Sequence, residues 1–521
     1  MRYRVGALWT GYVAIAAVSS ILVWRRSDRL SDLHIYLGAV RHTRAGQPLY
    51  TFVAENGGPF TYPPFAAIVL WPLGGVPEWL VQVGWLAATC AAVVAIAVAA
   101  TRGRVPRSAV VPAVACALMV SAPVQSNLRF GQVSIFVVLL ALVDGAGLTP
   151  ARYRGLLVGV AAAVKLTPLL FVVYFLVTRR YGDAGRAAAA FAGCAVIGAL
   201  ALPSDSLTYW TTTMLRTSRI GDLASLGNQS VHGMLLRLGV APATLPVVWA
   251  LLVAAICGVA LLRARQLDHS GQSTAAAVLV GCATVAASPV SWTHHQIWPV
   301  LAAMLLIAAQ GALRRAAGAA LLVVMVLSLG VLLSQVSTTP GAQFVFENAR
   351  ALGTVALCLA GFGGAAAVAA THRRPVPVRR FAFAGTAAAV TVAIVALQPL
   401  PAAADPTFKA YTLADAGNPR YFFACRSQAE CAAFGAGTPI HFGVTAERTK
   451  VRVNGVVDGT VGRLEYQSAP GGAPRTIPLL ALYPDQRVFS FRSANLSHGR
   501  LVAYGLDGEP IATYTDELAA P

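Results

Sequence analysis

The sequence predicts a polytopic α-helical membrane protein ending in a β-rich domain outside the cytoplasm, and three observations carry that reading. Of 521 residues, 56% are hydrophobic and only 12% charged, with a mean hydropathy of +0.63. A soluble chain carries about a quarter charged residues. Apolar runs of spanning length recur from Val5 to residue 400, separated by short basic clusters. After Pro401 the runs stop and alternating, turn-rich segments begin. The net charge of +19 sits in those clusters, the pattern of cytoplasmic loops facing anionic headgroups, so nucleic acid is not an expected partner.

A spanning helix needs about 20 apolar residues, and the first such run is Val5–Trp24. A long polar loop follows, "RRSDRLSDLHIYLGAVRHTRAGQPLYTFVAENGGPFTYPP". The run Phe65–Gly75 is short and broken by Pro72 and Pro77, which predicts an interfacial or re-entrant helix. Full spans are predicted at 79–100, 108–123 and 133–148, with Ser121–Gln132 as an outer loop. In "GLLVGVAAAVKLTPLLFVVYFLVTRR", Lys165 and Pro168 interrupt the centre. This predicts two half-length helices, because broken backbone at membrane depth is tolerated where it lines a cavity. Further spans fall near 186–203, 243–262, 273–289, 296–311, 316–334, 350–370 and 381–400. Counting re-entrant and half helices, about 12–13 membrane segments are expected.

Charge then orients the chain in a bacterial plasma membrane. With the N-terminus cytoplasmic, the inner segments are "TRGRVPR", "ARYR", "TRRYGDAGR", "RARQ", Arg314–Arg315 and "THRRPVPVRR", and each is basic. Arg25, Arg26 and Arg29 on the outer side are exceptions. The odd span count places the C-terminus outside. No cleavable signal is expected, since the first run ends at "WRRSDR" without a small-residue cleavage site.

Two domains follow, 1–400 in the membrane and 401–521 outside it. In the second, "KVRVNGVVDGTVGRLEY" alternates and contains Asn-Gly and Asp-Gly pairs, a hairpin signal. A compact β-sandwich or barrel is expected, in an accessory role. Tyr466, Tyr483, Phe489 and Tyr504 are candidate glycan contacts, with core packing as the competing reading. Cys425 and Cys431 would lie in an oxidising compartment, where a disulfide is the default. The other six cysteines lie in apolar runs, as small packing residues.

Candidate chemistry gathers on the predicted outer face, in "SDLHIY", "FTYPPF", "NLRFGQ", "KLTP", "GNQSVHG" and "SPVSWTHH". Asp32 can act as a general base toward a hydroxyl, with Asp28 as its rival; capping a short helix is an equal reading for Asp32. Lys165, at a helix break, offers a cation for a buried phosphate; a snorkelling lysine is the alternative. His294 and His295 point about 100° apart on a helix. No Cys or acid stands within a turn of them, so no metal site is expected. Trp292 and Trp298 suit an interfacial belt or a sugar-stacking platform.

Taken in order, an Asp in the first outer loop, "GQPLY", "YPPF", "FGQVS", "K-x-T-P", "NQS" and "SPVSWTHH" resemble glycosyltransferase family 87 over about residues 5–335. The resemblance implies a GT-C fold and a polyprenyl-phosphate-mannose-dependent α-1,2-mannosyltransferase of an actinobacterial envelope. It implies Asp32 as catalytic base in an inverting transfer, with a histidine of "SWTHH" assisting at the donor phosphate. The expected donor-binding set is Lys165, His294, His295, Arg129, Gln132, Asn228, Gln229, Trp292 and Tyr62. Thr293 stands where the family pattern has an acid, and Ser134 where it has Asn. Expected partners are the polyprenyl-phosphate sugar donor, a glycolipid or polysaccharide acceptor and membrane lipids, with no cofactor and no obligatory metal. Competing readings are a polyprenyl-phosphate arabinofuranose transferase, an O-antigen-type ligase, and a lipid or glycan transporter or flippase. A transporter should show repeat symmetry between halves, which this sequence lacks.

Overall fold

The computed structural model describes residues 2–362, except 27, 55–57, 103–106, 217–219, 221–222, 242, 328 and 330–338. It also describes 440–515, except 447–450, 459, 470–471, 484–485 and 494–498. These residues fall into two compact units, one helical and one built of strands. The expected span 381–400, the segment "THRRPVPVRR", and Cys425 and Cys431 lie outside the described residues.

In the helical unit, α1 (Arg2–Trp24) leads through a tight turn to α2 (Ser31–Arg44). Next come α3 (Pro64–Leu70), running on as a 3-10 turn to Gly75, and α4 (Glu78–Ala100). The short α3 covers the run expected as an interfacial or re-entrant helix, and it is opened by Pro64, whose missing N–H costs nothing in a first turn. The helices α5 (Arg107–Val120) and α6 (Ala122–Phe130) are bent by 65° against each other. Ser121, extended at φ −71° and ψ 142°, ends one helix, and Pro123 starts the next. The stretch expected as an outer loop is therefore largely helix. Its polar residues Gln125, Asn127 and Arg129 hid it from a hydropathy reading.

Beyond it, α7 (Ser134–Gly145) and α8 (Leu156–Val164) pack together, and α8 stops at Lys165, which is extended at φ −151° and ψ 120°. A 3-10 turn, Thr167–Leu169, and α9 (Leu170–Val177) complete the broken segment. The remaining helices are α10 (Tyr181–Ala201), α11 (Pro203–Thr211), α12 (Val231–Arg237), α13 (Leu245–His269), α14 (Ser273–Ala287), α15 (Ile297–Ile307) and α16 (Ala312–Val326). The helices Pro340–Glu347 and Ala349–Ala360 follow.

Among the described residues four helices are long and apolar enough to cross a membrane, or five if the bent pair counts as one span. They are Val5–Trp24, Glu78–Ala100, Tyr181–Ala201 and Leu245–His269. Six shorter apolar helices accompany them. The chain is a polytopic helical membrane protein with a β-rich C-terminal part. At its centre α14 is buried along nearly its whole length, against α7, α13 and α15. The close approach to α15 needs Gly281, because a Cβ there would lie 2.0 Å from the Trp298 ring.

The strand unit holds two antiparallel four-stranded sheets. One runs β1-β2-β6-β5, from β1 (Ile440–Ala446), β2 (Val451–Asp458), β5 (Leu480–Tyr483) and β6 (Gln486–Ser493). The other runs β4-β3-β7-β8, from β3 (Val461–Gln467), β4 (Arg475–Ile477), β7 (Arg500–Gly505) and β8 (Pro510–Tyr514). Val453, Val457 and Phe489 of the first share one core with Val461, Leu464 and Leu501 of the second, which makes a sandwich. The hairpin expected in "KVRVNGVVDGTVGRLEY" does not form. Asn454 and Gly455 sit inside β2, opposite Gly443 and Phe442 on one side and Ser490 and Phe489 on the other. Pairing on both edges overrides the turn preference of Asn-Gly. Tyr466 and Phe489 are core residues, so neither is an open glycan contact.

Candidate active site

The site begins with how α2 starts. Its N-cap position is Leu30, in the left-handed region at φ 53° and ψ 33°, with the side chain fully buried. Such a conformation costs a non-glycine residue on the order of 1 kcal/mol and persists only where its surroundings hold it. Asp32 falls in the first helical turn, yet its carboxylate caps no backbone N–H of α2. It accepts a hydrogen bond from Gln132 Nε2 instead, so the capping reading gives way.

The orientation of the Gln132 amide is fixed by its other end. Gln132 Oε1 accepts from the hydroxyls of Tyr36 and Tyr62, each at 3.1 Å, and lies 3.4 Å from Ser134 Oγ. Lys165 Nζ donates to Ser134 Oγ at 3.0 Å. One hydrogen-bonded chain thus runs from the Lys165 ammonium through Ser134 and Gln132 to the Asp32 carboxylate. Lys165 also stands over the Tyr62 ring at 5.2 Å and donates to His295 Nε2 at 2.6 Å. That contact requires Nε2 to be the acceptor and assigns the neutral His295 ring its tautomer.

Lys165 has only neutral hydrogen-bond partners, Ser134 and His295. Asp32 feels its charge, but no ion pair joins them. Burial pushes the Asp32 carboxyl up to about 6, against the opposing pull of the Gln132 hydrogen bond and the Lys165 charge. A carboxylate so poised suits proton abstraction near neutral pH. The rival Asp28 is different: burial raises its carboxyl, but hydrogen bonds from Arg26 and Arg129 outweigh that and hold it below its ordinary value.

The histidines divide their roles. His294 is buried, packs edge-on to His295 with ring centroids 4.4 Å apart, and has no partner at Nε2. Its backbone carbonyl is held by Asn127 Nδ2 at 2.8 Å, while Asn127 Oδ1 accepts from Ile135 N. Asn127 therefore ties the "SWTHH" turn to the junction of α6 and α7. A small cavity beside Lys165 is lined by Ser134, Thr167, Thr284, Ser291 and His295. Among the described residues no group of three His, Cys, Asp or Glu side chains stands close enough to hold a metal ion.

Of the expected base and donor-binding residues, the structure brings together Asp32, Tyr62, Gln132, Lys165, His294 and His295. The other four have partners within the scaffold. Asn228 spends its amide on Leu223 O, Pro289 O and Ser291 N. Gln229 spends its own on Leu226 O, Glu347 O and Ala351 N. The "NQS" segment is thus a clamp on the backbone leading into the histidine turn. Arg129 is engaged by Asp28. The Trp292 ring packs against Gly227, where a Cβ would lie 3.2 Å from it.

Sequence reading missed Tyr36 and Ser134 as members of the chain, and Arg350, whose Nη1 donates to Thr293 Oγ1 at 3.2 Å. Tyr36 lies one helical turn beyond Asp32, a spacing that does signal a shared face. Arg350 gave no such signal, being 57 residues from its partner.

Comparison with known proteins finds relatives by sequence. The profile of glycosyltransferase family 87 matches residues 60–289. A polyprenol-phosphate-mannose-dependent alpha-(1-2)-phosphatidylinositol mannoside mannosyltransferase of Mycolicibacterium smegmatis is 34% identical over 326 residues, 57% of this chain and 72% of that protein. Its namesake from Mycobacterium tuberculosis is 31% identical over 341 residues, 60% and 79% of the two chains. A phosphatidylinositol pentamannoside mannosyltransferase of M. tuberculosis is 32% identical over 302 residues, 55% and 69%. No solved structure matches the chain. The chain belongs to glycosyltransferase family 87 and is a membrane glycosyltransferase.

Proposed function

We propose that the chain moves mannose from a polyprenyl-phosphate donor to a phosphatidylinositol mannoside or related envelope glycolipid at the outer face of the plasma membrane, with inversion. The observation that carries this reading is the pairing of a poised carboxylate, Asp32, with a cation that no carboxylate neutralises, Lys165, in one hydrogen-bonded chain. The acceptor hydroxyl oxygen attacks the anomeric carbon and passes its proton to Asp32. The bond from that carbon to the phosphate oxygen breaks, and polyprenyl phosphate leaves with the electron pair. Lys165 receives the growing phosphate charge, the role of a preorganised electrostatic group. His295, by accepting from Lys165, aims its ammonium. His294 offers a buried ring nitrogen to the donor.

The test uses the full-length protein in lipid vesicles, with labelled polyprenyl-phosphate mannose or arabinofuranose and a phosphatidylinositol mannoside acceptor. Mannose should be transferred and arabinofuranose should not. The base must be ionised to take a proton, so kcat/KM should fall as pH drops through about 6. Transfer of arabinofuranose alone would replace the donor assignment. Lipid translocation without transfer would replace the enzyme by a flippase.

A further inference from the structure

Residues 28–33 and 129–132 lie side by side, and their contacts end at the Asp32 carboxylate. Arg129 directs Nε, at 2.9 Å, and Nη2 onto Asp28 Oδ2. Arg26 Nε takes the other oxygen of Asp28 at 2.7 Å. Two residues beyond Asp28, Leu30 N donates to the backbone oxygen of the same Arg129 at 2.6 Å. Gly131 then passes beneath Leu33 at φ +67°, where a Cβ would come within 2.7 Å of Leu33 Cβ and 3.2 Å of Leu30 Cδ2. At the end of the same stretches Gln132 meets Asp32.

We propose that Asp28 and Arg129 form a latch that sets the Asp32 carboxylate against Gln132, making both of them positioning residues. This rests on the reading of Asp32 as the base. The latch explains how a buried leucine is held in the left-handed region, since its backbone N–H is fixed to the residue whose side chain grips Asp28. It also reassigns Arg129. Two of its N–H groups, Nε and Nη2, are taken up by Asp28, whereas Lys165 meets only neutral partners.

The experiment compares Asp28→Asn, Arg129→Gln, Arg129→Lys and the Asp28→Asn/Arg129→Gln double variant as full-length proteins in vesicles. The probes are polyprenyl-phosphate mannose and a phosphatidylinositol mannoside. Asp28→Asn and Arg129→Gln should each lower kcat by about 10- to 100-fold, the scale of a misplaced catalytic group, and leave donor KM within about twofold. The double variant should be no slower than the slower single one, because one contact is lost once. Arg129→Lys, which keeps the cation, should recover part of the rate.

A scaffold contact alone would leave the pH profile in place. Here loosened packing lets water reach Asp32, so its acid limb should move down from about 6 toward an ordinary carboxylate value. The ionisable groups facing Asp32 are Tyr36 on its own helix, Tyr62 and Lys165, and the variants touch none of them. A tenfold rise in donor KM at unchanged kcat for Arg129→Gln would make Arg129 a donor ligand and overturn the latch. Additive losses in the double variant would do the same. A dead Asp32→Asn protein beside a fully active Asp28→Asn protein would remove the latch alone, while an active Asp32→Asn protein would remove the base reading. If Asp28→Asn fails to fold, Arg129→Lys with its kcat and pH limb carries the test.

Discussion

Asp32→Asn should abolish transfer while leaving expression and donor binding intact. The substitution is nearly isosteric, and an Asn carbonyl oxygen can still accept from Gln132 Nε2, so the hydrogen-bonded chain to Ser134 and Lys165 keeps its geometry. What disappears is the proton acceptor. General-base assistance is worth about 10²- to 10⁴-fold, and the loss should fall in kcat. The comparison with Asp28→Asn is instructive, because the two acids are four residues apart and only one faces the Gln132 amide. Initial rates in vesicles, beside binding of labelled donor, give the answer. Wild-type turnover by Asp32→Asn would sink the assignment.

The second large effect belongs to Lys165→Met, which keeps the length of the side chain and removes its charge. Losing one preorganised group that stabilises developing charge costs about 10²- to 10³-fold in kcat. Lys165 is that group if the phosphate leaves toward the break between α8 and α9. His295→Ala should cost less, on the order of tenfold, since its imidazole acts through Lys165 by accepting from Nζ. His294→Ala tests the unpartnered Nε2 directly. Kinetics at saturating acceptor, with kcat separated from donor KM, distinguish these roles. Equal kcat for wild type and Lys165→Met would remove the lysine from the reaction.

How much of this was legible in the sequence depends on whether the signal was local. The broken segment at Lys165 was legible, because a lysine and Pro168 inside an apolar run contradict a continuous helix. The short α3 was legible for the same reason. The bend between α5 and α6 was not, since polar side chains on a buried helix look like a loop until their partners are known. Asn127 is the clearest example: both ends of its amide are engaged, one of them by a carbonyl 167 residues away. The partners of Asn228, Gln229 and Arg129 were hidden in a related way. These residue types are right for phosphate or sugar, but backbone groups and Asp28 take up their hydrogen bonds. Asp32, Tyr62, Gln132, Lys165 and the histidines each belong to a short polar motif in an apolar chain, and the structure brings those motifs side by side.

In the β-rich unit, alternation predicted strands correctly, while the turn signal at Asn454 and Gly455 misled. Strand pairing is a long-range property, and two partners on either side of β2 outweigh a local preference.

The central claim is a single displacement at the anomeric carbon, with Asp32 as base on one side and the Lys165 charge at the leaving phosphate. The most direct measurement is the anomeric configuration of the product, read by NMR from a donor of defined configuration. The mechanism predicts complete inversion with wild type and no product with Asp32→Asn. Retention of configuration would contradict it, because retention requires two displacements or a nucleophile on the enzyme.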